Sequence, residues 1–186
     1  MATVRLISGK WGGRRLSANV SSATHPMSER ARSAIFSMLN AKGVLAGAKV
    51  LDAFAGTGAI GLEALSRGAT ATTFIERDRT AQTVLKQNIA TVGAEEGSSV
   101  ICTTVDNWMK NADFTDKYDL IFVDPPYKTP QFSTVWRLLD YLNDNGLMIL
   151  SYQTAECVKL PNGVAVVEFR SYGGASILIL KVNKSL

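Results

Sequence analysis

Val50-Leu-Asp-Ala-Phe-Ala-Gly-Thr-Gly-Ala-Ile-Gly61 is the stretch on which the fold turns. An apolar run reaches Asp52 and enters a loop with glycines at positions 56, 58 and 61, the pattern of a strand, a tight turn and a helix from Ala59 to Ser66. Residues without Cβ let the backbone turn sharply and approach a ligand, and the helix start is expected to aim free N–H groups at it. The pattern predicts a nucleotide-cofactor pocket. Gly56-x-Gly58-x-x-Gly61 formally matches the dinucleotide fingerprint, so spacing alone leaves a nicotinamide cofactor, S-adenosylmethionine (AdoMet) and a purely structural turn all open. Asp52 favours AdoMet, because a carboxylate there accepts from a cationic cofactor's amino group and repels a pyrophosphate.

Downstream, the β-branched run Thr70–Ile75 reads as a second parallel strand ending at Glu76, about 20 residues past the glycines, where a carboxylate can accept both ribose hydroxyls of either cofactor. The alternative is that Glu76 only begins the next helix. Thr80–Val92 has helical apolar spacing, Ser99–Val105 reads as a third strand ending at Asp106-Asn107, and Tyr118–Val123 is a continuously apolar fourth strand ending in Asp124-Pro-Pro-Tyr127. A helix over Thr134–Leu142, a turn at Asn145-Gly146, a strand over Leu147–Tyr152 and an antiparallel pair, Val164–Phe169 with Ser176–Val182, complete the chain. The alternation predicts a three-layer α/β domain with a mostly parallel sheet. Asp52, Glu76, Asp106 and Asp124 would then line the strand C-termini, where open α/β sheets bind ligands.

Upstream, Thr3–Ser8 and Arg14-Arg15-Leu16 predict a β-hairpin turned by Gly12-Gly13. Its cations, Arg5, Lys10, Arg14 and Arg15, with Trp11, form either a solvated face or a surface that follows a nucleic-acid backbone. A serine-rich link over Asn19–Thr24 precedes a helix capped by Ser28, with Ala31, Ile35, Met38 and Leu39 on its apolar face, Arg30 and Arg32 on the surface, and an end near Gly43. The division expected is a hairpin extension over 1–22 and a main domain over 23–186.

A chain of 186 residues that is 46% hydrophobic fits one domain with a substantial core. The net charge of +4 permits a nucleic-acid partner without requiring one. Cys102 and Cys157, flanked by apolar residues, read as reduced core thiols, which points to the cytoplasm. His25, the single histidine, has no companions for a metal site or a catalytic triad and reads as structural, so no metal is expected. No run approaches the length of a membrane span, and no signal-peptide pattern opens the chain.

Asp124-Pro-Pro-Tyr127 carries the chemistry. Two prolines without N–H donors make a stiff loop that offers the Asp124 carboxylate and the Pro125 carbonyl as acceptors, with Tyr127 placed to stack on a base. Such acceptors suit the exocyclic amine of a purine, a poor nucleophile that gains from orientation toward an in-line methyl donor. A hydride-transfer enzyme has no evident use for the loop.

Asp52-Ala-Phe-Ala-Gly-Thr-Gly58, Glu76, Asp106 and Asp124-Pro-Pro-Tyr127 resemble the successive motifs of class I AdoMet-dependent amino-methyltransferases. Further matches at Arg5–Leu16, His25–Phe36, Gly61–Gly68 and Tyr172-Gly-Gly extend the resemblance over nearly the whole chain, to the RsmD family of 16S rRNA guanine-N2 methyltransferases. The resemblance implies a seven-stranded class I AdoMet sheet with an N-terminal hairpin, and methyl transfer to a guanine N2 of small-subunit rRNA, either free or within a ribosomal particle; a monomer is expected. It assigns Asp52, Phe54, Gly56, Thr57 and Gly58 to the methionine end of AdoMet, Glu76 to the ribose, and Asp106 with Asn107 to the adenine. Asp124, Pro125, Pro126 and Tyr127 would hold the target guanine, Arg5, Lys10, Arg14 and Arg15 would contact RNA, and Arg30 and Arg32 would either contact RNA or order the lid of the cofactor site. The chain departs from the family pattern at His25-Pro-Met-Ser-Glu29, where Arg-Pro-Thr-Thr-Asp is usual, and at Val105-Asp-Asn107, where Gly-Asp-Ala is usual. A DNA adenine-N6 methyltransferase poses the same amine chemistry but needs a separate recognition region for which this chain has little room. A noncatalytic RNA-binding assembly factor of the same fold has no need of an intact Asp124-Pro-Pro-Tyr127.

Overall fold

The computed structural model describes residues 2–18, 27–113, 115–126, 132–154, 158–172 and 174–183. Strands β1 (Thr3–Arg5) and β2 (Arg15–Ser17) form an antiparallel hairpin. Strands β3 (Lys49–Asp52), β4 (Ala71–Ile75), β5 (Ser98–Ile101), β6 (Tyr118–Val123), β7 (Leu142–Gln153), β8 (Val164–Tyr172) and β9 (Ala175–Val182) make one sheet in the order β5-β4-β3-β6-β7-β9-β8. The first five in that order are parallel, and β9 is antiparallel to both β7 and β8. Helices α1 (Glu29–Ala41), α2 (Ala59–Ser66), α3 (Arg79–Val92), α4 (Val105–Asn111) and α5 (Phe132–Arg137) complete the layers.

The sheet is buried on both faces, which is why its central strands read as unbroken apolar runs. Because side chains alternate along a strand, Leu120 and Phe122 of β6 join one core with α1, α2 and α3, while Ile121 and Val123 join the other with α4 and α5. After β3 the chain moves outward to β4 and β5, then returns to place β6 on the other side of β3. The crevice at the C-terminal ends of β3 and β6 is therefore the switch point where open α/β sheets bind ligands.

Four local readings differ from the structure. β5 ends at Ile101, so Asp106 lies in the first turn of α4, behind the N-cap Thr104. Helix α5 stops at Arg137 and passes into a 3₁₀ turn, Leu138–Tyr141. Asn145, at φ 66°, is a bulge inside β7 rather than a turn before it: Tyr118 pairs with Leu142 and Leu120 with Leu147, so the intervening residues of β7 leave the register. Cys102 is exposed at the end of β5 instead of sitting in the core, and Cys157 and His25 lie outside the described residues.

The hairpin is fastened to the main domain. Leu6, Trp11 and Leu16 are buried in the same core as α1, α2 and α3, so Trp11 is a packing residue and not a nucleic-acid contact. Glu63 of α2, fully buried, accepts from Ile7 N at 2.7 Å and Ser8 N at 3.1 Å and pairs with Arg67 Nε at 2.6 Å. Gly9, at φ 83°, lies so close to α2 that a Cβ would stand 1.8 Å from the Ser66 carbonyl oxygen. Arg32 is also buried, at 1% exposure, and its guanidinium donates to the Arg5 carbonyl; the helical pattern alone had left it on the surface. Burial holds the Arg32 pKa below its ordinary value, against the charges of Glu63 and Glu29.

Candidate active site

The N–H groups of the three loop glycines are engaged within the protein. Gly56 N–H donates to Glu76 Oε2 at 2.8 Å, Gly58 N–H to the Ala55 carbonyl at 2.7 Å, and Gly61 N–H to Asp52 Oδ2 at 2.9 Å. All three glycine N–H groups expected to face a ligand are thus consumed by protein oxygens. A pyrophosphate cradle needs free donors, and these three glycine N–H groups do not supply them. The glycines serve geometry instead. Gly56 (φ 53°) has open space where a Cβ would be, and Gly58 (φ 80°) caps α2. At Gly61 a Cβ would stand 2.3 Å from Phe74 Cε1, so this glycine lets α2 lie close on β4.

Three carboxylates converge on the switch point. Asp52 ends β3 at 1% exposure. Its pKa rises to about 7, because burial disfavours the charge; the Gly61 N–H opposes the rise, while the charges of Asp124 and Glu76 add to it. Glu76 follows β4 directly and bridges two backbone amides, Gly56 N and, through Oε1, Asp78 N at 2.7 Å. It does not start the next helix: Asp78 is the N-cap of α3 and accepts from Ala81 N at 2.8 Å. Such a group of acids, none of them paired with a cationic side chain among the described residues, fits a cation.

Asp124 follows β6 directly, and burial lifts its pKa to about 6 against hydrogen bonds from the Ser151 hydroxyl and the Met27 N–H. Oδ1 of the same carboxylate is buried with no hydrogen-bond partner among the described residues. An unpartnered buried acceptor costs about 1–3 kcal/mol in desolvation, and at a ligand edge it marks where a donor docks. Ser151, fully buried near the end of β7, and Met27, just before α1, are site residues that sequence reading missed. Only the parallel pairing of β6 with β7 brings Ser151 level with Asp124.

The remaining predicted residues divide. Phe54 packs against the second core, and Thr57, 8% exposed, gives its carbonyl to Asn88 Nδ2 at 2.9 Å. Asp106 is drawn away from the strand edge by Thr134 Oγ1 at 2.9 Å and Arg137 Nη1 at 3.3 Å, and Asn107 is exposed on α4. Cys102–Thr104 occupies the end of β5 in their place. Pro125 is buried and Pro126 half-buried, while Tyr127 lies outside the described residues. Arg5 pairs with Glu29 at 2.7 Å, Lys10 lies over the Trp11 ring at 5.2 Å, Arg14 donates to the Thr91 carbonyl at 3.0 Å, and Arg15 and Arg30 are exposed. Among the described residues no cluster of His, Cys, Asp or Glu is suited to hold a metal, and no helix is long and apolar enough to cross a membrane.

The sheet order and the acid-lined crevice at its switch point define a class I AdoMet-dependent methyltransferase. The family model described as Conserved hypothetical protein 95 matches residues 4–181, and the chain belongs to that family, the RsmD family. Ribosomal RNA small subunit methyltransferase D of Escherichia coli K12 is 36% identical over 77% of this chain and 68% of its own length. The Bacillus subtilis protein YlbH, provisionally named an rRNA methyltransferase, is 30% identical over 96% of this chain and 98% of its own. Among solved structures, Escherichia coli yhhF, provisionally described as a methyltransferase, superposes with a TM-score of 0.84 at 28% identity, covering 99% of this chain and 100% of that one.

Proposed function

We propose that the chain transfers a methyl group from AdoMet to the exocyclic N2 of a guanine in small-subunit rRNA. The observation that carries this reading is the buried Oδ1 of Asp124 at the switch point, an acceptor fixed in place by its neighbours and lacking a donor among the described residues. Relatives named small-subunit rRNA methyltransferases support the choice of RNA over DNA.

The residues present fit AdoMet. Asp52 and Glu76 offer carboxylates to its cationic methionine end and to its ribose, Gly56 leaves room for close approach, and Asp106 with Asn107, in the first turn of α4, meets the adenine end. When bound, AdoMet supplies the electrophilic methyl group. Asp124 Oδ1 accepts an N2–H of guanine and aims the nitrogen lone pair, while the Pro125 carbonyl offers the second acceptor. Tyr127 completes the pocket by stacking. As the N–C bond forms the amine sheds a proton, and Asp124 is the acceptor in reach. A guanine inside folded RNA is exposed or flipped out before this chemistry. The protein works in the cytoplasm as a monomer, on rRNA either free or within an assembling particle.

The test is mass-spectrometric mapping of modified guanines in rRNA from cells lacking the gene. One N2-methylguanine of the small subunit is expected to disappear and to return on adding the purified protein with AdoMet. Methylation of duplex DNA with none of rRNA would establish the adenine-N6 alternative, and RNA binding without turnover would establish the assembly factor.

The pH dependence follows from Asp124. The carboxylate must be ionised to accept, so kcat/KM is expected to rise through a limb near pH 6 and level off above it. Ser151→Ala removes a donor that favours the ionised form, so the limb should move to higher pH while AdoMet affinity stays unchanged; Ser151→Thr should restore it. A profile flat from pH 5 to 8 in the wild type would remove Asp124 from the proton chemistry.

A further inference from the structure

The hairpin cations account for only part of the positive charge on this side of the sheet, and the structure joins them to another set. Helix α3 contains Arg79 and Lys86 and no acidic residue, and no acid occurs in the chain before Glu29. Arg79 and Lys86 are seven residues apart, two helical turns, so they lie on one exposed face about 10 Å from each other. Strand β2 lies against this helix: Ser17 N donates to Asn88 Oδ1 at 2.8 Å, Asn88 Nδ2 returns a bond to the Ser17 carbonyl at 3.0 Å, and Arg14 reaches the Thr91 carbonyl. Arg14 and Arg15 are thereby fixed beside the helix.

None of these four cations forms an ion pair among the described residues. Arg5, Arg67, Arg137 and Arg170 are all paired with acids, and Arg32 is buried. The acids bordering the surface stand at its ends: Asp78 is occupied as the N-cap of α3, Glu76 bridges backbone amides, and Glu95 and Glu96 follow the far end. Two exposed cations without ion pairs about 10 Å apart on α3, with Arg14 and Arg15 beside them, give an electropositive surface to which a polyanionic backbone is attracted. The surface begins beside Glu76, at the ligand edge of the sheet, and leads away from it along the core face shared by α1, α2 and α3.

We propose that the exposed face of α3, together with β2, binds the phosphate backbone of the rRNA strand flanking the target guanine. The inference rests on the rRNA reading above and moves the weight of RNA contact from Arg5, which is neutralised by Glu29, and Arg32, which is buried, to Arg79, Lys86, Arg14 and Arg15, none of them paired with an acid among the described residues. The contacts are electrostatic and independent of base sequence.

The test compares the full-length protein carrying Arg79→Glu and Lys86→Glu with one carrying Lys110→Glu and Lys159→Glu. The second pair makes the same change in net charge on exposed residues outside this surface, one on α4 and one after β7. Binding to an in vitro transcript of small-subunit rRNA, and to small subunits from cells lacking the gene, is measured from 50 to 200 mM salt. The α3 variant is expected to bind at least tenfold more weakly at 100 mM salt, with a log–log salt slope shallower by about 1.4–1.8, while AdoMet affinity and thermal midpoint are unchanged. The control pair should stay within threefold of wild type. If wild type binds and methylates rRNA and the α3 variant behaves like the control, this surface is wrong and the function stands. If wild type neither binds nor methylates rRNA, both fall.

Discussion

Asp124→Ala is expected to lower methyl transfer by roughly 10²–10³-fold, the cost of removing an oriented charge-stabilising group from an active site, while AdoMet binds nearly as before. The reason is the unequal use of its two oxygens. The carboxylate is positioned by Ser151 and Met27, yet Oδ1 has no partner among the described residues and, in the function proposed, is the atom that meets the incoming amine. Truncation removes that open acceptor together with the oxygen that Ser151 and Met27 use. The same variant should change the thermal midpoint little, because relief of a buried carboxylate is offset by the loss of its bonds from Ser151 and Met27. Asp124→Asn keeps one carbonyl acceptor and should fall between the two in rate. Turnover of the alanine variant within threefold of wild type, measured with saturating AdoMet, would show that the amine is held elsewhere.

Glu63→Ala should be the most damaging single truncation for stability, at about 3–5 kcal/mol, the range for breaking a buried ion pair by removing one partner. Glu63 has no solvent exposure and serves Ile7 N, Ser8 N and Arg67 at once, with Arg32 close enough to feel its charge. Removing it leaves two amide donors and a guanidinium without their acceptor, and it releases the hairpin from α2. Glu63→Gln keeps an acceptor and should cost less. Arg5→Ala, which removes an exposed pair with Glu29, should barely move a urea unfolding midpoint. The idea fails if Glu63→Ala and Arg5→Ala unfold at the same urea concentration.

These two expectations locate different jobs on one side of the molecule. The Met27 N–H leading into α1 touches Asp124, and Arg32 of the same helix holds the Arg5 carbonyl of the hairpin. The N-terminal hairpin and the catalytic loop are thus joined through a single helix, so loosening the hairpin should also disturb the acceptor geometry. In Glu63→Ala a fall in kcat that accompanies the loss of stability is the consequence of that linkage.

Local periodicity carried most of the architecture. Helix α2 and strand β6 lie where the sequence placed them, because an apolar run between turn residues and a glycine loop with a following helix are decided within a dozen neighbours. Asp52, Glu76 and Asp124 fall at strand ends for the same reason. Asp106 did not: Ser98–Ile101 is a short strand, and the residues after it are drawn into α4 by a Thr104 cap that competes with extension of the strand. What the sequence by itself determined is the set of strands and the acids that end them, since both depend on neighbouring residues. Tertiary structure alone decided that the glycine N–H groups are already spoken for, that Arg32 is internal, that Ser151 steadies Asp124 and that α3 shares its cations with the hairpin. Each of those outcomes depends on partners brought together from distant parts of the chain, Arg32 with Arg5 across 27 positions and Ser17 with Asn88 across 71, and no local pattern records such a meeting.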